Sequence, residues 1–335
     1  MKVLGRSLQD RNLKYYNATA AFLVSIVLNF ILVYTVLKKT PKWLHPYAKI
    51  FLTDSFINVC FITMCFLSNV VLINVNDKDS SYFIHITSGV LNDLPQPWTT
   101  IITGVYVFFL NWTITIVPVN FVYRYLSVCH DYEISISGFI FITLISTIAP
   151  GIYAVSTVVY EFQGEIFKDK LTYLFNDTDW LSPDGTPPHF AVMEADSNNI
   201  HNYVIPIAAL ISYIIVVLCA IQIWRKFYRL RKLQDKYVRK SYSLNVVLIT
   251  NAVVPLLVQV VPSGGAAVAR LFGFNMPPAL VYISMVSPWS AAISPLMDLI
   301  VVQPYRHFVF CRRKGVAPKG QATSRFAEPI HNPKK

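Results

Sequence analysis

The sequence contains seven runs of largely apolar residues, each long enough as a helix to cross a lipid bilayer. They lie at approximately 16–37, 50–73, 99–123, 136–160, 202–224, 244–264 and 279–302. A hydrocarbon core about 30 Å thick needs roughly 20 apolar residues of helix to span it. Within it only helices and closed barrels satisfy every backbone N–H and C=O. Runs such as LVSIVLNFILVYTVL do not alternate with period two, so they predict helix rather than barrel strand. The expected fold is an all-α membrane protein, a seven-transmembrane helix bundle. The sixth run has the least defined end, because SGGAAVARLFGF continues it without a sharp stop.

Composition agrees with that reading. Charged residues make up 14% of the 335, against about 25% in soluble domains, and the mean hydropathy is +0.46. A soluble fold this apolar would expose large greasy patches to water, which excludes an ordinary soluble enzyme. The net charge of +11 might point to nucleic acid, but its distribution points to loops on one side of a membrane. The five cysteines fall in the apolar runs or just after them, so they offer no disulfide framework and no zinc spacing. The first run follows some fourteen polar residues and is long enough to span, so it reads as a signal-anchor helix rather than a cleaved leader.

Orientation follows from lysine and arginine. With the N-terminus outside, inner segments hold Lys38, Lys39, Lys42, Lys49 and Arg124, then eight basic residues in 225–240 and eight in 303–335. That places 21 of the 29 basic residues inside. The 161–200 segment inverts the pattern, with eight acids against two lysines. The expected topology is N-terminus outside and C-terminus cytoplasmic: a short outer segment over 1–15, the bundle over 16–312 and a disordered tail over 313–335. Asn176-Asp177-Thr178 is a well-placed glycosylation sequon in the acidic loop, and Asn17 begins a second one close to the membrane. Asn111 begins a third inside a span, where no modification is expected.

Ionisable groups within spans are costly and need partners. Asp54 lies about five residues into the second run and Asp298 about five before the end of the seventh, each roughly 7 Å from the cytoplasmic face at 1.5 Å per residue. Arg124 closes the third run between Tyr123 and Tyr125 and can either snorkel to water as an anchor or work as a switch. Our expectation is that Arg124 pairs with Asp54 or Asp298 at rest and releases on activation, with Arg306 a further candidate partner. Prolines inside the spans, first Pro255, Pro262 and Pro295, are candidate hinges. The basic, aromatic-bearing segment 224–243 suits an anionic lipid surface or a protein partner. Phe308, Val309 and Phe310 with flanking arginines suit an interfacial helix, which makes Cys311 a palmitoylation candidate. No catalytic, metal or cofactor motif is present.

These features resemble a known family. FVYRYL at the end of the third run, Thr40-Pro41-Lys42, PLLVQVVP in the sixth run and SPLMDLIVVQPYRHF in the seventh resemble nematode serpentine chemoreceptors, most closely the str superfamily and its srd class. The resemblance covers roughly residues 15–312, and Pro304-Tyr305-Arg306 combined with Tyr123-Arg124-Tyr125 is its most specific part. It implies a G-protein-coupled receptor in the plasma membrane of a sensory cilium, with a small-molecule ligand and a heterotrimeric G protein as partners beside membrane lipids. Arg124 takes the place of the arginine that rhodopsin-like receptors keep there, and Ser294–Asp298 the place of their NPxxY element. Two departures stand out: Tyr123 replaces the acid before the arginine, and Asp298 stands where a tyrosine would be. The cysteine pair between the third helix and the second outer loop is missing.

Ligand is expected between the outer halves of the helices, with Tyr106, Phe109 and Leu110 on the third, Gln259 on the sixth, and Tyr282 and Met285 on the seventh. The coupling set is Arg124, Tyr123, Tyr125, Asp54, Asp298, Pro295, Tyr305 and Arg306. The alternative is a ligand-gated channel or transporter with Asp54 and Asp298 lining an ion path; a chaperone or orphan subunit is a third reading.

Overall fold

The computed structural model describes residues 11–41, 44–76, 81–91, 94–175, 188–194, 201–231, 246–247, 249–261 and 285–309. Among the described residues, five helices are long and apolar enough to cross a membrane: Asn12–Lys39, His45–Ser68, Trp98–Cys129, Ile136–Leu171 and Tyr203–Arg229. The sixth run is described only through a shorter apolar helix, Ile249–Val258, and the seventh from residue 285 onward. Pro262 and Tyr282 lie outside the described residues, as do Asn176, Cys311 and most of the basic 224–243 segment.

The elements, in chain order, are α1 (Arg11–Lys39), α2 (His45–Ser68), β1 (Val71–Asn76), β2 (Ser81–Ile86), α3 (Trp98–Thr115), α4 (Val117–Cys129), α5 (Ile136–Ile145) and α6 (Ile148–Gln163). After single helical turns over Gly164–Phe175 come β3 (Phe190–Glu194), α7 (His201–Arg231), α8 (Ile249–Val258), α9 (Ser290–Val301) and α10 (Gln303–Val309). α2 packs on α1 and α3, α3 on α6, α4 on α7, and α9 back on α1.

Prolines shape the long helices. Pro46 sits in the first turn of α2, where its missing N–H is no loss. Pro118 has no N–H to offer the carbonyl one turn earlier, and the third span is divided there into α3 and α4. Backbone bonds from Ile116 N–H to Trp112 O at 3.0 Å and from Asn120 N–H to Ile116 O at 3.3 Å carry it across the joint. Beyond Pro255 the sixth helix widens into a π-helical turn over Leu256–Val260, a form common at functional sites.

The all-helical expectation needs one correction, because the described loops contain a three-stranded antiparallel sheet in the order β1-β2-β3. The second apolar run predicts helix to residue 73, but α2 ends at Ser68. Asn69 takes a left-handed conformation (φ 39°) and returns its N–H to Cys65 O at 2.8 Å, a common helix stop. The apolar letters that follow belong to β1. β1 and β2 form a hairpin with Ile73 opposite Ile84, and β3 adds on with Val192 opposite Ile84.

One face of the sheet is a core, and described residues of the other are buried as well. Val71, Ile73, Tyr82, Ile84, Ile86, Phe190 and Val192 pack on Leu171 and Phe175 from the turns after α6. His85, Ala191 and Met193, of opposite pleat, are also buried. Gly164 lets the strand approach the end of α6, since a Cβ there would lie 1.7 Å from Val192 O.

Candidate functional site

Arg124 is 1% exposed and the largest fully buried side chain among the described residues. It therefore does not snorkel, which corrects the anchor reading. Its guanidinium lies 4.5 Å over the ring of Tyr47 on α2, a cation–π contact. Tyr47 is fixed in turn: its hydroxyl bonds Ser127 Oγ at 2.9 Å and its ring meets Tyr123 edge-on at 6.1 Å. Tyr123, fully buried, donates its hydroxyl to Pro46 O at 3.0 Å and lies under Lys49 Nζ at 4.4 Å. Lys49 also reaches Ile134 O at 2.6 Å. Tyr125 is half-buried, with its hydroxyl 2.9 Å from His130 Nε2. Tyr123 thus packs the N-terminus of α2 against α4, while Tyr125 packs toward α7.

The two aspartates are held by amides rather than by the arginine. Both oxygens of Asp54 accept from Asn120 Nδ2, at 2.9 and 3.1 Å. Asp298 Oδ1 accepts from Asn251 Nδ2 at 3.4 Å, and Asn251 Oδ1 accepts from Ser294 Oγ at 3.2 Å. Asp298 Oδ2 is buried with no partner among the described residues. The asparagines, scattered over three helices in sequence, converge: Asn58, Asn120 and Asn251 line one cavity with Asp54, Thr113, Ser290 and Ser294. Its volume is about 40 Å³, enough for two or three waters. The α3–α4 joint borders it through Ile116 and Val117. Sequence reasoning missed Asn120 as the partner of Asp54, although its place one turn before Arg124 on the same face was available.

Toward the Arg124 end, Tyr305 is fully buried against Phe51, ring centroids 5.8 Å apart, with its hydroxyl 2.9 Å from Thr40 Oγ1. Burial raises that hydroxyl to about 12, the Thr40 bond opposing. Pro295 is buried in α9. Arg306 is half-buried and its Nε has no acceptor among the described residues.

Toward the sheet end, the expected ligand residues of the third helix are packing. Tyr106, Phe109 and Leu110 close on a cluster of Ala21, Phe61, Ile62, Cys65 and Ala291, with Tyr106 stacked 6.3 Å from Phe61. The carbonyl of Met285 accepts from Asn17 Nδ2 at 2.7 Å, and Asn17 Oδ1 accepts from Trp289 Nε1 at 3.0 Å. The sequon asparagine near the membrane therefore ties α1 to the start of the seventh helix. Gln259 lies in the π-helical turn.

One further group of ionisable side chains gave no sequence signal. His85 on β2 pairs through Nδ1 with Glu161 Oε1 on α6, both buried. His201, at the start of α7, is buried close by. The pairing needs a strand that local pattern did not announce.

The family model described as serpentine type 7TM GPCR chemoreceptor Str matches residues 14–310. The crystal structure of squid rhodopsin superposes with a TM-score of 0.59 at 14% identity, over 90% of this chain and 86% of that one. At that identity the likeness is one of fold. No curated protein sequence matches the chain significantly.

Proposed function

The chain belongs to the Str family of serpentine seven-transmembrane G-protein-coupled chemoreceptors, and from that membership we propose that it binds an external small molecule and activates a heterotrimeric G protein. The observation that carries this reading is Arg124, fully buried on the aromatic ring of Tyr47, at the end of the third helix where the family places its coupling arginine. In this reading the sheet end and the N-terminus face outside and the Arg124 end faces the cytoplasm. Tyr47, held by Tyr123 and Ser127, is one part of what keeps the arginine in its resting place. Plasma-membrane and sensory-cilium placement, a nematode source and the srd class belong to the same proposal, as do glycosylation at Asn176 and palmitoylation at Cys311.

The described cavity of about 40 Å³ is far below the roughly 300 Å³ of a small-molecule pocket. Ligand is placed nearer the sheet end, against Tyr106, Phe109, Leu110 and Met285. An agonist then acts through its higher affinity for the rearranged state. The ion-path alternative gains no support, since an amide holds each aspartate and the Phe61–Ile62 cluster stands between the cavity and the sheet.

The test uses the full chain expressed with a promiscuous G protein. Arg124→Ala is expected to abolish signalling at unchanged surface level, whereas Tyr47→Leu is expected to raise ligand-independent signalling. A cation–π contact worth roughly 1–2 kcal/mol corresponds to about a five- to thirtyfold change in the resting equilibrium. Normal basal and evoked responses in both variants overturn the reading.

A further inference from the structure

His201 begins α7 just before the spanning stretch Tyr203–Arg229 and is 2% exposed. Its ring lies flat on Tyr153, with centroids 4.2 Å apart at 12°, and Tyr160 meets it at 5.5 Å and 64°. Ser156 Oγ donates its one proton to Tyr153 O at 2.8 Å. Its hydroxyl also lies 2.6 Å from His201 Nδ1. Nε2 is buried with no partner among the described residues, and so is Glu161 Oε2. The other oxygen of Glu161 is taken by His85 Nδ1.

Two buried polar atoms, a ring nitrogen and a carboxyl oxygen, are thus left without a partner among the described residues, beside the His85–Glu161 link to the sheet. The titratable groups around them are Tyr153, Tyr160 and Glu161 on α6, His85 on β2 and His201 on α7. β3 contributes buried Ala191 and Met193, and its one acid, Glu194, is exposed.

We propose that this cluster is a proton-binding site, at which acid charges His201 and shifts the receptor toward a state with the sheet lifted from the bundle. The proposal rests on the receptor reading only for which side of the membrane the cluster faces. In the closed state a charged ring would stand buried beside His85, whereas lifting β2 takes that neighbour away and opens Glu161 Oε2 to solvent. Burial first, and then neighbouring His85, lower the ring from 6.5 to about 4. A group held neutral in this way supports the closed state fully above pH 6.5 and loses that support as pH falls toward 4. Between pH 7.5 and pH 5 the ratio of lifted to closed molecules rises about thirtyfold by this linkage.

The experiment is backbone hydrogen exchange of the full chain in lipid nanodiscs at pH 7.5 and pH 5, corrected for intrinsic exchange rates and read at 81–86 and 190–194. Protection in the wild type is expected to fall about thirtyfold in acid. His201→Phe, which keeps the flat stack and cannot titrate, is expected to hold protection constant; if that variant does not fold, His201→Gln is read the same way. Unchanged protection in the wild type overturns the proposal, as does an equal fall in the folded variant. No G protein enters this measurement, so a failed signalling assay and a failed proton site remain distinguishable.

Discussion

At the scale of single residues, each buried aspartate of the bundle accepts from an asparagine side chain. Asp54 is 8% exposed and takes both its bonds from Asn120. Removing one partner of a buried polar pair leaves the other dry at about 1–3 kcal/mol, whereas replacing both with apolar groups is nearly neutral. Asn120→Leu is therefore expected to lower the thermal midpoint of the solubilised protein by several degrees, and Asp54→Leu in the same chain to recover much of the loss. A double mutant no more stable than Asn120→Leu refutes the pairing. The positions of Asp54, Asp298 and Arg124 were legible in the sequence because charge in an apolar run is conspicuous. Their partners were not, because asparagine is common and only the α3–α4 joint brings Asn120 onto Asp54.

At the scale of elements, apolar length located the helices and misjudged where the second one ends. β1 is as apolar as the helix before it, so hydropathy alone could not separate them. The stop comes from Asn69, a single residue that tolerates positive φ. β3 was equally hidden: five residues gain strand geometry only by pairing with β2, a partner far away in the chain. The seat for β3 is Gly164, whose missing Cβ leaves room for Val192 O. Gly164→Ala is expected to displace β3 and to raise hydrogen exchange in 190–194 more than tenfold, about the effect of 1.4 kcal/mol, with α2 protection unchanged. Normal protection of β3 in that variant refutes the close fit.

For the whole molecule, the bundle that seven apolar runs predicted agrees with the fold shared with squid rhodopsin, although the sixth and seventh helices are described only in part. The Arg124 end is closed by Tyr305, seated between α1 and α2 and raised from 10 to about 12. A hydroxyl kept neutral inside and ionised at 10 when unfolded supports the native state below pH 10 and loses that support between 10 and 12. The contribution is on the order of 2–3 kcal/mol. Tyr305→Phe is expected to remove this part of the alkaline loss of stability, measured as thermal midpoint against pH. An identical alkaline profile in the variant refutes it. The sheet at the other end bears on how the chain is made. Ile84 is synthesised roughly a hundred residues before Val192, its partner in the sheet. At about 5–20 residues per second of translation, one edge of β2 waits some 5–20 s for a strand to complete it. During that wait the nascent receptor offers an open strand edge, the kind of surface that chaperones shield and aggregates grow from.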